Sequence, residues 1–144
     1  MTRAIRLVTT ADARDTDAPT EMSVAVRLDA ALDDGRTVRL LDGRGWTAAL
    51  RGPGAAEGLD AWAGVTAREV EETARAVVGP DEPFGGHTQA DMEADHWNAL
   101  AATLRAAGVD AAGENLSRLP HDVLLSDGLR ARLERGPNAE RGQW

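Results

Sequence analysis

Met22-Ser23-Val24-Ala25-Val26-Arg27-Leu28-Asp29 alternates apolar and polar residues, the period-2 pattern of a half-buried strand. Asp33-Asp34-Gly35 then supplies turn chemistry. Val38 and Leu40 alternate with Arg39 on the return, and Asp42-Gly43-Arg44-Gly45 offers a second turn. Trp46, Ala48 and Leu50 continue the alternation. The stretch 22–50 therefore predicts a three-stranded antiparallel meander with one apolar face. So small a sheet needs something packed on it.

The covering layer is predicted downstream. Arg51-Gly52-Pro53-Gly54 ends the sheet. Thr66-Ala67-Arg68-Glu69 reads as a capping box opening a helix over 66–78, with Val70, Ala74, Val77 and Val78 on one face. Gly79-Pro80 stops it, and Asp81 to Gly86 must be a loop. A second helix is expected over 89–107, capped by Thr88, with Met92, His96, Leu100 and Leu104 as its stripe. Asp110 is expected to cap a short third helix over 111–119, and Ser126 a fourth over 126–135.

Upstream, residues 3–9 alternate weakly, with Ile5, Leu7 and Thr9 on one side, and suggest a short edge strand. Residues 10–21 show no periodicity and read as a loop or flexible arm. The tail 136–144 reads as flexible. The expected fold is α+β: a small antiparallel meander of three or four strands packed against about four helices, in one domain over 22–135.

Composition narrows the chemistry. The 144 residues include no Cys, no Lys and no Tyr, so all sixteen basic residues are Arg. That excludes disulfides, zinc–thiolate sites, a Cys nucleophile, Lys Schiff bases and a Walker-type phosphate loop. Only 27 residues are Leu, Ile, Val or Phe, so much of the apolar content is Ala and stability should be modest. No apolar run approaches the roughly 20 residues a membrane span needs. The first residues lack a signal-peptide pattern, so a cytoplasmic location is expected.

The net charge of −8 is unevenly placed. Residues 57–110 hold eleven acids and three Arg, whereas 22–56 hold five Arg and four Asp. This acidic balance argues against sequence-independent nucleic-acid binding, and its sharper reading is a docking surface for a basic protein partner. Such a surface also has a plain solubilising role. Glu71, Glu72, Asp81, Glu82 and Glu93 are the expected contact acids, with Phe84, the single Phe, beside Gly85-Gly86. Phe84 has two readings, tucked against the helices, which its apolar character favours, or presented to a partner.

Three other groupings invite chemistry. His87, Asp91 and Asp95 fall at a helix start with Asp91 and Asp95 at i, i+4, a spacing compatible with a divalent metal. Helix-start acids beside a loop histidine explain the same residues without a metal. His121-Asp122 offers a histidine–carboxylate pair for acid–base work, although adjacent residues seldom pair usefully. Neither Gly43-x-Gly45 nor Gly52-x-Gly54 continues into a dinucleotide fingerprint. Of the four Trp, Trp46 and Trp97 are expected in the core, Trp62 as a helix-entry staple, and Trp144 at the terminus as a contact. The sequence thus favours a small acidic binding or accessory protein, inhibitor- or immunity-like and without a cofactor, docking a basic partner through residues 57–110. The alternative is a small metal-dependent or acid–base enzyme built on His87, Asp91 and Asp95.

Overall fold

The computed structural model describes residues 2–15, 21–49, 61–62 and 64–134. Their elements run β1 (Ala4–Arg14), β2 (Glu21–Leu32), β3 (Thr37–Ala49), α1 (Ala67–Val77), α2 (Gln89–Ala106), α3 (Gly113–Leu116), β4 (His121–Leu125) and α4 (Asp127–Glu134). The strands form one sheet in the order β3-β2-β1-β4. β2 is antiparallel to both β1 and β3, while β4 lies parallel to β1. The class is α+β, as expected, but the sheet is mixed.

Three antiparallel strands are present, but over 4–49 instead of 22–50. β1 is longer than the edge strand expected over 3–9, and it lies inside the sheet. Its second half, expected to be an arm, pairs from Thr10 to Arg14 with β2. The reason is that the buried side of β1 carries Leu7, Thr9 and Ala11. Small residues suffice where helices lie directly over a strand, so no strong apolar alternation is needed. Ile5 leaves the expected row. The pairing shifts by one between Ala4 and Arg6, and the Ile5 side chain is 50% exposed.

Residues 37–49 form one strand, not two. Asp42-Gly43-Arg44-Gly45 makes no chain reversal. Pairing moves from Val26–Arg44 to Leu28–Leu41 to Asp29–Arg39, so β3 carries extra residues against β2 at two places. Gly43 takes φ +81°, and its turn chemistry is spent on a bulge that keeps the strand running.

The helices follow their local signals. The Thr66 hydroxyl accepts from the Glu69 amide, and the Glu69 carboxylate accepts from the Thr66 amide, closing the capping box of α1. Thr88 and Asp91 make the same reciprocal pair at α2. The Ser126 hydroxyl accepts from the Leu129 amide at the start of α4 and donates to Asp12 on β1. The helix expected over 111–119 shrinks to the single turn of α3, which has no side-chain cap. Asp110 does not cap it and instead sits beside Arg3 in a parallel bridge. Residues 121–125, read as an inter-helix connection, extend as β4.

All six even-numbered residues of β2 from Met22 to Leu32 are buried, and they meet Val70, Ala74, Leu100, Leu104, Leu125 and Leu129 in one core. The opposite face of the sheet is charged. There Arg6 pairs with Asp122 at 3.2 Å, and Asp29 holds Arg39 at 3.2 Å and Arg27 at 3.7 Å. Trp62 is buried, with the Arg132 guanidinium 5.4 Å from its ring centre, a cation–π contact. Trp46 and Trp97 are only partly buried against the core. No helix among the described residues is long and apolar enough to cross a membrane. The sheet-ending Arg51-Gly52-Pro53-Gly54, Trp144 and the tail 136–144 lie outside the described residues.

Candidate functional site

The α1–α2 connection collects most of the residues singled out by composition. Gly79-Pro80 ends α1, and Arg44 of β3 secures that end. Its guanidinium donates to the Val77 carbonyl at 3.1 Å and lies 3.7 Å from the Asp81 carboxylate. A cation at a helix C-terminus is favoured by the helix dipole. Beyond this anchor every residue from Asp81 to Asp91 is exposed.

Phe84-Gly85-Gly86-His87 closes a tight turn in which the His87 amide donates to the Phe84 carbonyl at 3.0 Å. Gly85 and Gly86 both take positive φ, +58° and +82°. Two consecutive left-handed residues define a type I′ turn, a conformation glycine adopts without steric cost. The turn brings the Phe84 and His87 rings to 5.5 Å, tilted by 60°. Phe84 does not tuck against the helices and remains 65% exposed. The ring stands on a loop whose residues from Asp81 to His87 are all exposed.

Acids flank this tip in the sequence. Asp91 is engaged locally. Its carboxylate accepts from the Thr88 amide, and that bond, the Thr88 hydroxyl and nearby His87 hold its pKa below the ordinary aspartate value. No ion pair joins His87 to Asp91 among the described residues. Among the described residues no group of three His, Asp or Glu is gathered closely enough to hold a metal ion, so His87, Asp91 and Asp95 do not form a ligand set. Glu72 pairs with Arg68 at 3.1 Å on α1. Among the described residues Glu71, Glu82, Glu93 and Asp95 take part in no ion pair.

Beside the acidic start of α2 runs a groove of about 400 Å³ between α2 and α3. Trp97, Ala90 and Ala94 supply its apolar wall, and Glu93 and Glu114 its charge. Gly113 lets the two helices approach, since a Cβ there would lie 2.9 Å from the Asn98 amide nitrogen. His96, on the α2 stripe, is half-buried, with its Nε2 buried and without a hydrogen-bond partner among the described residues. Burial and then the Arg44 guanidinium push its pKa down, against the Val78 carbonyl and Asp81.

His121 and Asp122 point to opposite faces of β4, as neighbours on a strand must. His121 Nε2 meets the Thr9 hydroxyl at 2.5 Å, while Asp122 pairs with Arg6. Thr9 has no solvent exposure, so its hydroxyl cannot meet a substrate from this position. The histidine–carboxylate pair suggested by adjacency is therefore not assembled. Of the two readings of Phe84, the tucked one that its apolar character favours is overturned by its exposure. The signal that carried this information was the Gly85-Gly86 doublet, which fits a type I′ turn as well as a supple loop. No family model, curated protein or solved structure matches this chain.

Proposed function

We propose that this is a small acidic binding or accessory protein, inhibitor- or immunity-like, that docks a basic partner through the surface of residues 57–110. The observation that carries the reading is Phe84, an exposed ring on a type I′ turn, with Glu82 and Glu93, which pair with no described residue, nearby in sequence. Buried aromatic anchors inside a charged rim are the usual centre of binding energy at interfaces. The unpaired acids supply long-range attraction, which raises association rate more than affinity. The groove beside Trp97 offers an aromatic wall between two glutamates, suited to an Arg or Lys side chain of such a partner.

The experiment is capture of a partner on the immobilised full chain at low and high salt, with Phe84→Ser and the double variant Glu82→Gln/Glu93→Gln alongside. Screening weakens exposed charge pairs beyond about 10 Å at 0.1 M salt. Capture should fall with salt, fall further in the double variant, and be lost with Phe84→Ser. Capture indifferent to salt and to all three substitutions rules the reading out.

A further inference from the structure

The edge of β1 and the segment 110–120 are pinned together at two points. The Asp110 amide donates to the Thr2 carbonyl at 2.9 Å, and the Leu7 amide to the Pro120 carbonyl at 2.8 Å. Between the pins the chain leaves the sheet edge to make α3, and a recess of about 540 Å³ opens. Arg3, Ile5, Asp110, Asn115, Leu116 and Leu119 wall it. Small-molecule sites fall in the range of about 300–1,000 Å³ and combine an apolar wall with a few convergent polar groups.

Both ingredients are present. Leu116 is buried in the wall, Leu119 is partly buried, and Ile5 is half-exposed beside them. Arg3 and Asp110 are neighbours across a parallel bridge, so their side chains start within easy reach of each other. They nevertheless form no ion pair, with each other or with any other described residue. The recess thus brings together a cation and an anion that pair with no described residue and an aliphatic surface. A guanidinium fork is shaped for a carboxylate, and a carboxylate accepts from an ammonium.

We infer that this recess binds a free α-amino acid with an aliphatic side chain. Arg3 receives its carboxylate, Asp110 its ammonium, and Ile5, Leu116 and Leu119 its side chain. Asn115, also in the lining, carries an amide that can donate and accept. The inference does not rest on the acidic docking surface, whose named contacts Glu82, Phe84 and Glu93 lie outside the recess.

The test is calorimetric titration and thermal melting of the full chain with L-leucine, N-acetyl-L-leucine, leucinamide and glycine. Leucine should bind and raise the melting temperature by linkage. The acetylated compound lacks the ammonium, the amide lacks the carboxylate, and glycine lacks the side chain, so each should bind at least about tenfold more weakly. Arg3→Gln and Asp110→Asn should each weaken leucine binding by a similar factor while leaving the ligand-free melting temperature unchanged, since both side chains are exposed. Ile5→Ser, at a half-exposed position, tests the apolar wall in a fold that does not depend on it. No heat and no thermal shift with millimolar leucine would overturn the inference. So would equal binding of all four compounds, or undiminished leucine binding in the two charge variants.

Discussion

The Thr9 hydroxyl stands 2.5 Å from Nε2 of His121, across the parallel seam between β1 and β4. Thr9 is completely buried, and a buried hydroxyl without a partner is costly. His121 satisfies it and so joins residues from opposite ends of the chain. Thr9→Val keeps the shape of the side chain, removes the hydroxyl and leaves the half-buried imidazole nitrogen unpaired. It should lower unfolding free energy by about 1 kcal/mol. Chemical denaturation reads this directly, and an unchanged midpoint would mean that the bond adds nothing net.

The same histidine gives the fold a pH dependence. Burial pushes the His121 pKa below 6.5, Arg75 adds to the effect, and Asp122 opposes it. His96 is lowered in the same sense by burial and Arg44. The unfolded chain keeps ordinary histidines, so below about pH 6.5 it takes up protons that the folded state refuses. Stability is therefore full above that pH and falls as pH drops towards the depressed folded values. Asp34 and Asp91 act in a separate, lower window. Their folded pKa values lie below 3.8, so their contribution is full above that pH and is lost as pH falls from there through the folded values. Melting temperatures recorded across this range should begin to decline near pH 6.5, and His121→Asn should flatten the first part of the decline. An unaltered slope in that variant would assign the effect elsewhere.

The contrast between α1 and β4 shows what was legible in the sequence. Helix starts are written locally, and Thr66 with Glu69, Thr88 and Ser126 marked three of them correctly. β4 pairs with a strand from the other end of the chain, and its five residues are too few to display a period. β1 hides its interior place behind Thr9 and Ala11, small residues that give no apolar signal. The bulge at Gly43 was mistaken for a turn because both use the same residue types. For the candidate site, composition located the acids and Phe84, but exposure of the ring depends on packing. The approach of Arg3 to Asp110 is a tertiary event with no local trace.

Gly113 sets the spacing between α3 and α2. A Cβ there would lie 2.9 Å from the Asn98 amide nitrogen and 3.0 Å from the Trp97 carbonyl carbon, both backbone atoms of a helix that cannot yield cheaply. Gly113→Ala should therefore cost about 1–3 kcal/mol, as overpacking does. This runs against the usual gain from replacing a helical Gly by Ala, about 1 kcal/mol. Urea midpoints distinguish the two signs, and stabilisation would show that the α2–α3 contact is looser than described.

The register of β4 is testable by a pair of neighbouring substitutions. Leu125 is 6% exposed and packs in the core, whereas Leu124 is 51% exposed on the opposite face of the sheet. Adjacent residues on a strand must take opposite faces, so the two leucines should respond very differently. Leu125→Ala should cost about 2–5 kcal/mol through lost burial and the cavity left behind. Leu124→Ala should stay within about 0.5 kcal/mol of the unmodified protein, as a surface change does. A slip of one residue against β1 would move every side chain of β4 to the other face, and the two costs would then exchange. It would also turn His121 away from Thr9. Equilibrium denaturation of the two variants beside Thr9→Val therefore checks the parallel seam from both of its sides. A costly Leu124→Ala with a harmless Leu125→Ala would place β4 one residue out of register.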